Sequence, residues 1–351
     1  MGIFRLILAI CVIAAHAINS GMPFLPGSTA VDAFFIVSGF YMAMILREKY
    51  TGKNSFMLFI TNRFLKLFPV YWAVLLLTIA FSCVGGLWKG HWLRLQPILD
   101  AGHIGFGALL LIILTNLLLV GQDIIAFLTL DSKGGFVWNG ATPAVSPLCV
   151  IGTAWSIGIE LVFYLSAPFL VRRNYKIFVT IISLSLLLRM VLYLKGFSAY
   201  GWTNMCLPLE FAFFLSGMLT YKMYAKIKTK QISKILWWSI LGSLILLTCF
   251  YQWIPYTMAN KYVYLFFVAL SVPIAFKASK GNRIDRLIGE FSYPVYISHL
   301  LILGIVDYFI RAGNRYEWIA TAILSILFSA ILFYFIVLPV DKLRQSRVSA
   351  Q

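Results

Sequence analysis

Two histidines, His16 and His299, and one carboxylate, Glu160, stand inside long apolar runs of this 351-residue chain. Histidine is the side chain whose ordinary pKa suits moving a proton near neutral pH. A charged group at bilayer depth costs at least ~2.5–3.5 kcal/mol, so ionisable residues within apolar runs are few and mark functional sites. The others here are Arg5 on the first run, Asp32 at the start of the second, Arg189 and Glu210. Helix rise sets His16 about 16 Å beyond Arg5 along one helix. Glu160 and His299 each fall about ten residues into their runs, from opposite sides, which is close to mid-depth by the same rise. Two histidines and a carboxylate can therefore meet in one buried site, with Arg5 near one surface. Glu210 and Arg189 are expected to form a buried pair or to meet water.

The elements that must position these groups are transmembrane helices. The chain is 61% hydrophobic and 12% charged, against roughly 45–50% and 25% for soluble domains. Stretches of about 20 apolar residues, enough to span a bilayer, recur near 3–20, 31–46, 67–86, 104–121, 150–170, 177–194, 202–221, 235–253, 262–276, 289–310 and 317–339. The net charge of +17 is juxtamembrane rather than gathered in a basic domain, which argues against nucleic acid. Clusters stand at Arg47/Lys49/Lys53/Arg63/Lys66, Arg172/Arg173/Lys176, Lys222/Lys226/Lys228/Lys230/Lys234, Lys277/Lys280/Arg283/Arg286 and Lys342/Arg344/Arg347. The positive-inside rule turns all five towards the cytoplasm. That holds only if one segment between 67 and 150 fails to cross, and 104–121 with Ile124–Leu130 is the expected hairpin or re-entrant element. The reading is an all-α polytopic membrane protein of about ten crossings with both termini cytoplasmic. It divides into one transmembrane domain over 1–341 and a short basic cytoplasmic tail over 342–351.

The five cysteines lie in or beside apolar segments without the close spacing of a zinc or redox motif, so no metal is expected. Arg5, the apolar run and Ala15-His16-Ala17 imitate a cleavable signal peptide, but a histidine at the cleavage site is unusual.

Five blocks, in order, resemble the membrane-bound acyltransferase 3 family of bacterial surface-glycan O-acyltransferases. The first is Arg5 followed by His16 in RLILAICVIAAH. The second is Val31-Asp32-Ala33-Phe34-Phe35-Ile36-Val37-Ser38-Gly39-Phe40, which matches VDxFFxxSGF. Arg63-Phe64-Leu65-Lys66-Leu67-Phe68-Pro69 follows, with lysine at the second arginine of RxxRIxP. The fourth runs from Thr153-Ala154-Trp155-Ser156 through Glu160 to Phe163, Tyr164 and Pro168, and the fifth is Ser292-Tyr293-Pro294-Val295-Tyr296-Ile297-Ser298-His299.

The resemblance implies a multi-pass enzyme of the bacterial inner membrane. It would take an acyl group, acetyl by default, from cytoplasmic acyl-CoA and pass it to a hydroxyl of a cell-surface or lipid-linked glycan, with no permanently bound cofactor. Arg5, Arg63 and Lys66 would hold the donor's phosphates, with Ser38, Trp155, Tyr293 and Tyr296 beside its path. His16 would be the general base, Glu160 its orienting carboxylate with Asp32 as second choice, and His299 would position the site or share the chemistry. Asp32 has the alternative of capping the second helix, Ser38 that of a close-packing contact beside Gly39, and the basic residues that of topology signals. Other classes compatible with the composition are a secondary transporter or flippase, though no internal repeat is visible, and a non-catalytic partner of a polysaccharide assembly machine.

Overall fold

The structure is a computed structural model, and it describes all residues except 18–20, 22, 23, 53, 54, 141, 144, 232, 256, 311–315, 350 and 351. Lys53 of the first basic cluster and most of the loop near 311–316 fall outside the described residues. Eleven principal helices carry the chain: α1 (Gly2–His16), α2 (Gly27–Glu48), α3 (Ser55–Lys89), α4 (Phe106–Leu118), α5 (Trp155–Leu170), α6 (Tyr175–Leu194), α7 (Leu207–Ile227), α8 (Lys234–Cys249), α9 (Met258–Ser279), α10 (Arg283–Ile310) and α11, which begins with Glu317–Leu332. Six of these, α2, α3, α6, α9, α10 and α11, are long and apolar enough to cross a membrane. Four more, α1, α4, α5 and the bulk of α8, are shorter apolar helices. The protein is a helical multi-pass membrane protein, and its outward faces are apolar, as on α4, where Leu109, Leu110, Ile113, Leu114 and Leu117 are exposed. Exposed leucine is costly in water and natural against lipid.

The basic clusters gather at one end of the bundle. Arg47 donates to the Val171 carbonyl at 2.6 Å, Lys222 reaches the Arg173 carbonyl at 3.4 Å, and Lys277 bonds the Ile227 carbonyl at 2.6 Å. Arg347 donates to Thr61 Oγ1 at 2.9 Å, which brings the last cluster onto the first. At this end the amides of Gly2 and Ile3 donate to the Asp285 carboxylate at 2.9 and 3.0 Å, tying the start of α1 to α10.

The stretch that parity singled out is a hairpin. Helix α4 descends from Gly105 and ends at mid-bundle, where Tyr71 donates to the Asn116 carbonyl and Trp72 Nε1 donates to the Leu117 carbonyl at 2.9 Å. Leu119 and Gly121 then take left-handed conformations (φ 66° and 91°) and reverse the chain. Two short strands, β1 (Leu128–Leu130) and β2 (Phe136–Trp138), pair antiparallel. Their turn returns the Gly134 carbonyl to the Gly105 amide at 2.9 Å, so the segment comes back to the level it left. The chain is otherwise helical, as the all-α reading expects, and these two three-residue strands are a local departure, because the continuous apolar signal of Ile124–Leu130 could not be told from a helix.

A second departure is at 150–170, expected as one helix. Only Trp155–Leu170 is helical, and residues 146–154 run in turns. Backbone groups at membrane depth need partners within the protein, and Asn116 supplies them. Its amide donates to the carbonyls of Leu148 (3.1 Å) and Ile112 (2.9 Å), and its Oδ1 accepts from the Val150 amide at 2.9 Å.

Helix α11 widens into a π turn over Phe333–Val337 and continues as Leu338–Ser349. Pro339 lacks the N–H that the Phe335 carbonyl would receive in a regular helix, which accounts for the wider turn. The basic end expected as a tail is helical to Ser349 and lies against α3.

The most extensive helix pairing joins α2 to α7. A methyl group on Gly39 would collide with the Phe214 carbonyl, and one on Gly217 with the Ile36 carbonyl. Small residues allow helix backbones to touch in this way. Gly39, rather than Ser38, is therefore the packing contact of the Ser-Gly pair. Gly217→Val is expected to push these helices apart at a cost of about 2 kcal/mol or more, read as a fall in melting temperature of the detergent-solubilised protein and loss of its monodisperse peak. A variant that melts with the wild type would contradict the packing.

Candidate active site

A cavity of about 1200 Å³ opens among the basic clusters and rises between α1, α2, α3, α5 and α10. Arg5, Arg63 and Lys66 line it, as the sequence predicts. Arg63 is only 8% exposed and has no ion pair among the described residues. Its guanidinium lies 5.6 Å from the Phe59 ring and 5.8 Å from the Tyr164 ring, and its Nε has no hydrogen-bond partner among the described residues. A buried cation without a countercharge is costly, and an anion entering the cavity would relieve it. Lys66 instead stands 3.5 Å from Glu290, a carboxylate on α10 that sequence reasoning missed. The signal was present, since Glu290 heads the apolar run at 289–310 one residue in.

Above the cations, the hydroxyls of Ser38 and Tyr164 both donate to Glu160 Oε1, and the two hydroxyls lie 3.3 Å apart. All three residues line the cavity. Tyr293 Oη donates to the Leu67 carbonyl at 2.8 Å, which holds α10 to α3 beside Lys66. The cavity ends where Tyr296 bonds Ser156 Oγ at 2.7 Å and the Thr153 carbonyl at 3.3 Å, with the Phe34 ring edge-on at 5.9 Å.

His16 and His299 lie past this closure, their ring centroids 5.1 Å apart. His299 is fully buried, whereas His16 ends α1 and is exposed, so the expectation of two buried histidines holds for one. The expected partnership of His16 with Glu160 is also corrected. Glu160 is taken by Ser38 and Tyr164, while His16 Nδ1 faces the Val12 carbonyl at 2.8 Å and His299 Nδ1 the Tyr296 carbonyl at 2.6 Å. A carbonyl only accepts, so in each ring Nδ1 carries the proton and Nε2 keeps its lone pair. His299 Nε2 has no hydrogen-bond partner among the described residues. Two backbone carbonyls thus do the tautomer-setting assigned to a carboxylate.

Asp32 is neither a helix cap nor a partner of His16. Helix α2 begins at Gly27, five residues earlier, and the Asp32 carboxylate bonds Lys261 of α9 at 2.8 Å. The expected pair of Arg189 and Glu210 is present at 2.8 Å, and Arg189 also donates to the Thr203 carbonyl. These four groups are buried together away from the cavity. Lys261 was missed because it falls one residue before the apolar run at 262, though a buried Asp32 demanded some cation. Trp155, expected along the donor path, packs edge-on to Tyr200 at 6.3 Å and does not line the cavity.

The chain belongs to the acyltransferase 3 family, whose acyltransferase domain model matches residues 1–334. No curated protein and no solved structure matches it. The family and the apolar helices together define a multi-pass membrane acyltransferase.

Glu210→Gln is expected to leave Arg189 charged and unpaired, at a cost of about 3–5 kcal/mol. The double variant Arg189→Met/Glu210→Met removes both charges and should recover most of that loss. Thermal melting in detergent checks both, and a Glu210→Gln protein as stable as the wild type would rule out a structural ion pair.

Proposed function

We propose that this protein is an O-acetyltransferase of the bacterial cytoplasmic membrane, moving the acetyl group of cytoplasmic acetyl-CoA to a hydroxyl of a cell-surface or lipid-linked glycan. The observation that carries this reading is the order of groups along the bundle. Arg63, without an ion pair among the described residues, stands with Arg5 and Lys66 at the basic end, a polar cluster lies at mid-depth, and two imidazoles whose Nδ1 atoms face backbone carbonyls lie beyond it. By the positive-inside rule the basic end faces the cytoplasm, which fits about ten crossings, with 105–134 entering and leaving on the outer side. Arg5, Arg63 and Lys66 would take the donor's phosphates. The pantetheine arm would run past Ser38, Glu160 and Tyr164, and the thioester would reach the histidines by displacing the Tyr296 closure. Exposed His16 suits an acceptor arriving from the outer side.

In the transfer, His16 Nε2 takes the proton of the glycan hydroxyl, whose oxygen forms a bond to the thioester carbonyl carbon. The C–S bond breaks, and the leaving thiolate receives the proton from the imidazolium.

The deciding experiment uses purified protein in proteoliposomes with radiolabelled acetyl-CoA and candidate glycans. His16→Gln keeps hydrogen-bonding ability but is no base near neutral pH, so transfer is expected to fall 10²–10⁴-fold, roughly the contribution of a general base, with acetyl-CoA binding retained. A glutamine variant running at about a third of the wild-type rate would make His16 structural, since a lost interhelical hydrogen bond costs only ~0.6–2 kcal/mol of stability. Reporters fused after Lys230 or Lys280 should read cytoplasmic and those within 195–201 extracytoplasmic; the reverse would overturn the orientation.

A further inference from the structure

The family match ends at residue 334, yet the protein wall of the cavity does not. The π turn and the helix Leu338–Ser349 contribute Val337, Leu338, Asp341 and Arg344 to it. Arg344 also borders a narrow cleft against Arg5, Lys66 and Glu290, so three cations converge on one carboxylate there. Lys66, Arg344, Arg5 and Arg63 are close enough for their charges to interact. The Arg344 side chain is 12% exposed; Nη1 bonds Asp341 at 2.7 Å, and Nε is buried without a hydrogen-bond partner among the described residues. The helix is held in place from α3, because Arg347 donates to Thr61 Oγ1 at 2.9 Å and to Asn62 Oδ1 at 3.3 Å.

Packed cations repel, and the carboxylates of Glu290 and Asp341 offset only part of the charge. Lysine presents a compact point charge, whereas a guanidinium fork matches two phosphate oxygens at once. Arg344 places such a fork at the cleft where Lys66 has none. We infer that Arg344 is a phosphate-binding residue of the donor site, and that the helix Leu338–Ser349 is a working wall of that site. This rests on the acyl-CoA reading above and deepens it: the nucleotide end of the donor is held from the last helix as well as from α1 and α3.

The test divides the donor into halves. Adenosine 3′,5′-bisphosphate carries phosphates without the pantetheine arm, and S-acetyl-pantetheine carries the arm without the nucleotide. With the full chain in nanodiscs, Arg344→Ala is expected to weaken binding of acetyl-CoA and of the bisphosphate by about tenfold or more, as for a lost charge-assisted bond, and to leave S-acetyl-pantetheine within about twofold. Arg344→Lys, which keeps the charge without the fork, should recover part of the loss. Equal losses on all three ligands, or none on any, would overturn the assignment, the former by making Arg344 structural. Wild-type protein that binds no acetyl-CoA would instead sink the donor reading, and this inference with it. Wild-type binding that is indifferent to Arg344 would sink the inference alone.

Discussion

The backbones of α2 and α7 touch at Gly39 and Gly217, and this contact sets the rotation of the helix that carries Ser38, Phe34 and Asp32. With that face of α2 pressed to α7, Asp32 turns towards Lys261 of α9, and Ser38 and Phe34 turn into the cavity. Rolling α2 by one residue, about 100°, would take Ser38 away from Glu160 and leave Asp32 without its cation. The ion pairs Asp32–Lys261 and Arg189–Glu210 bind α2, α6, α7 and α9 from the other side. Buried pairs contribute little net stability but are strongly destabilising when half broken, so they act as a register lock for the four helices.

A second constraint is the scarcity of partners for backbone groups in lipid. The chain enters the bundle as a half-length helix, α4, and descends again through turns into the half-length α5, leaving polar backbone exposed at mid-depth. Asn116 satisfies two of those groups, the Leu148 carbonyl and the Val150 amide, with one side chain. The reward is position: α5 starts beside Tyr296, and its first turns carry Ser156 and Glu160 on the cavity face.

The site is spread out along the bundle. Glu160 lies one helical turn below Ser156, and His299 three residues above Tyr296, which separates them by about 10 Å of helix rise. The hydrogen-bonded Tyr296 stands between. In the acyltransferase reading this keeps a donor chamber at the basic end apart from the exposed His16, so that donor and acceptor approach from opposite sides and meet only across the Tyr296 closure.

Much of this was legible in the chain alone. Apolar run length identifies spanning helices because the bilayer demands it, and charge parity isolated the hairpin at 104–130 because one uncrossed segment changes the side of every later loop. Some proximity was legible too, since a charge or imidazole in an apolar run has few reasons to be there: Arg5, Arg63 and Glu160 line one cavity, and His16 and His299 pair beyond its end. Partnerships were not legible. Which group faces which depends on helix rotation and tilt, and these are decided by backbone contacts such as Gly39 with Phe214 that carry no local signal. For that reason Glu160 belongs to Ser38 and Tyr164, Asp32 to Lys261, and the histidines to backbone carbonyls. The breaks in α4 and α5 were equally hidden, because an apolar run reads the same whether its backbone bonds are made along the helix or by Asn116 more than thirty residues away.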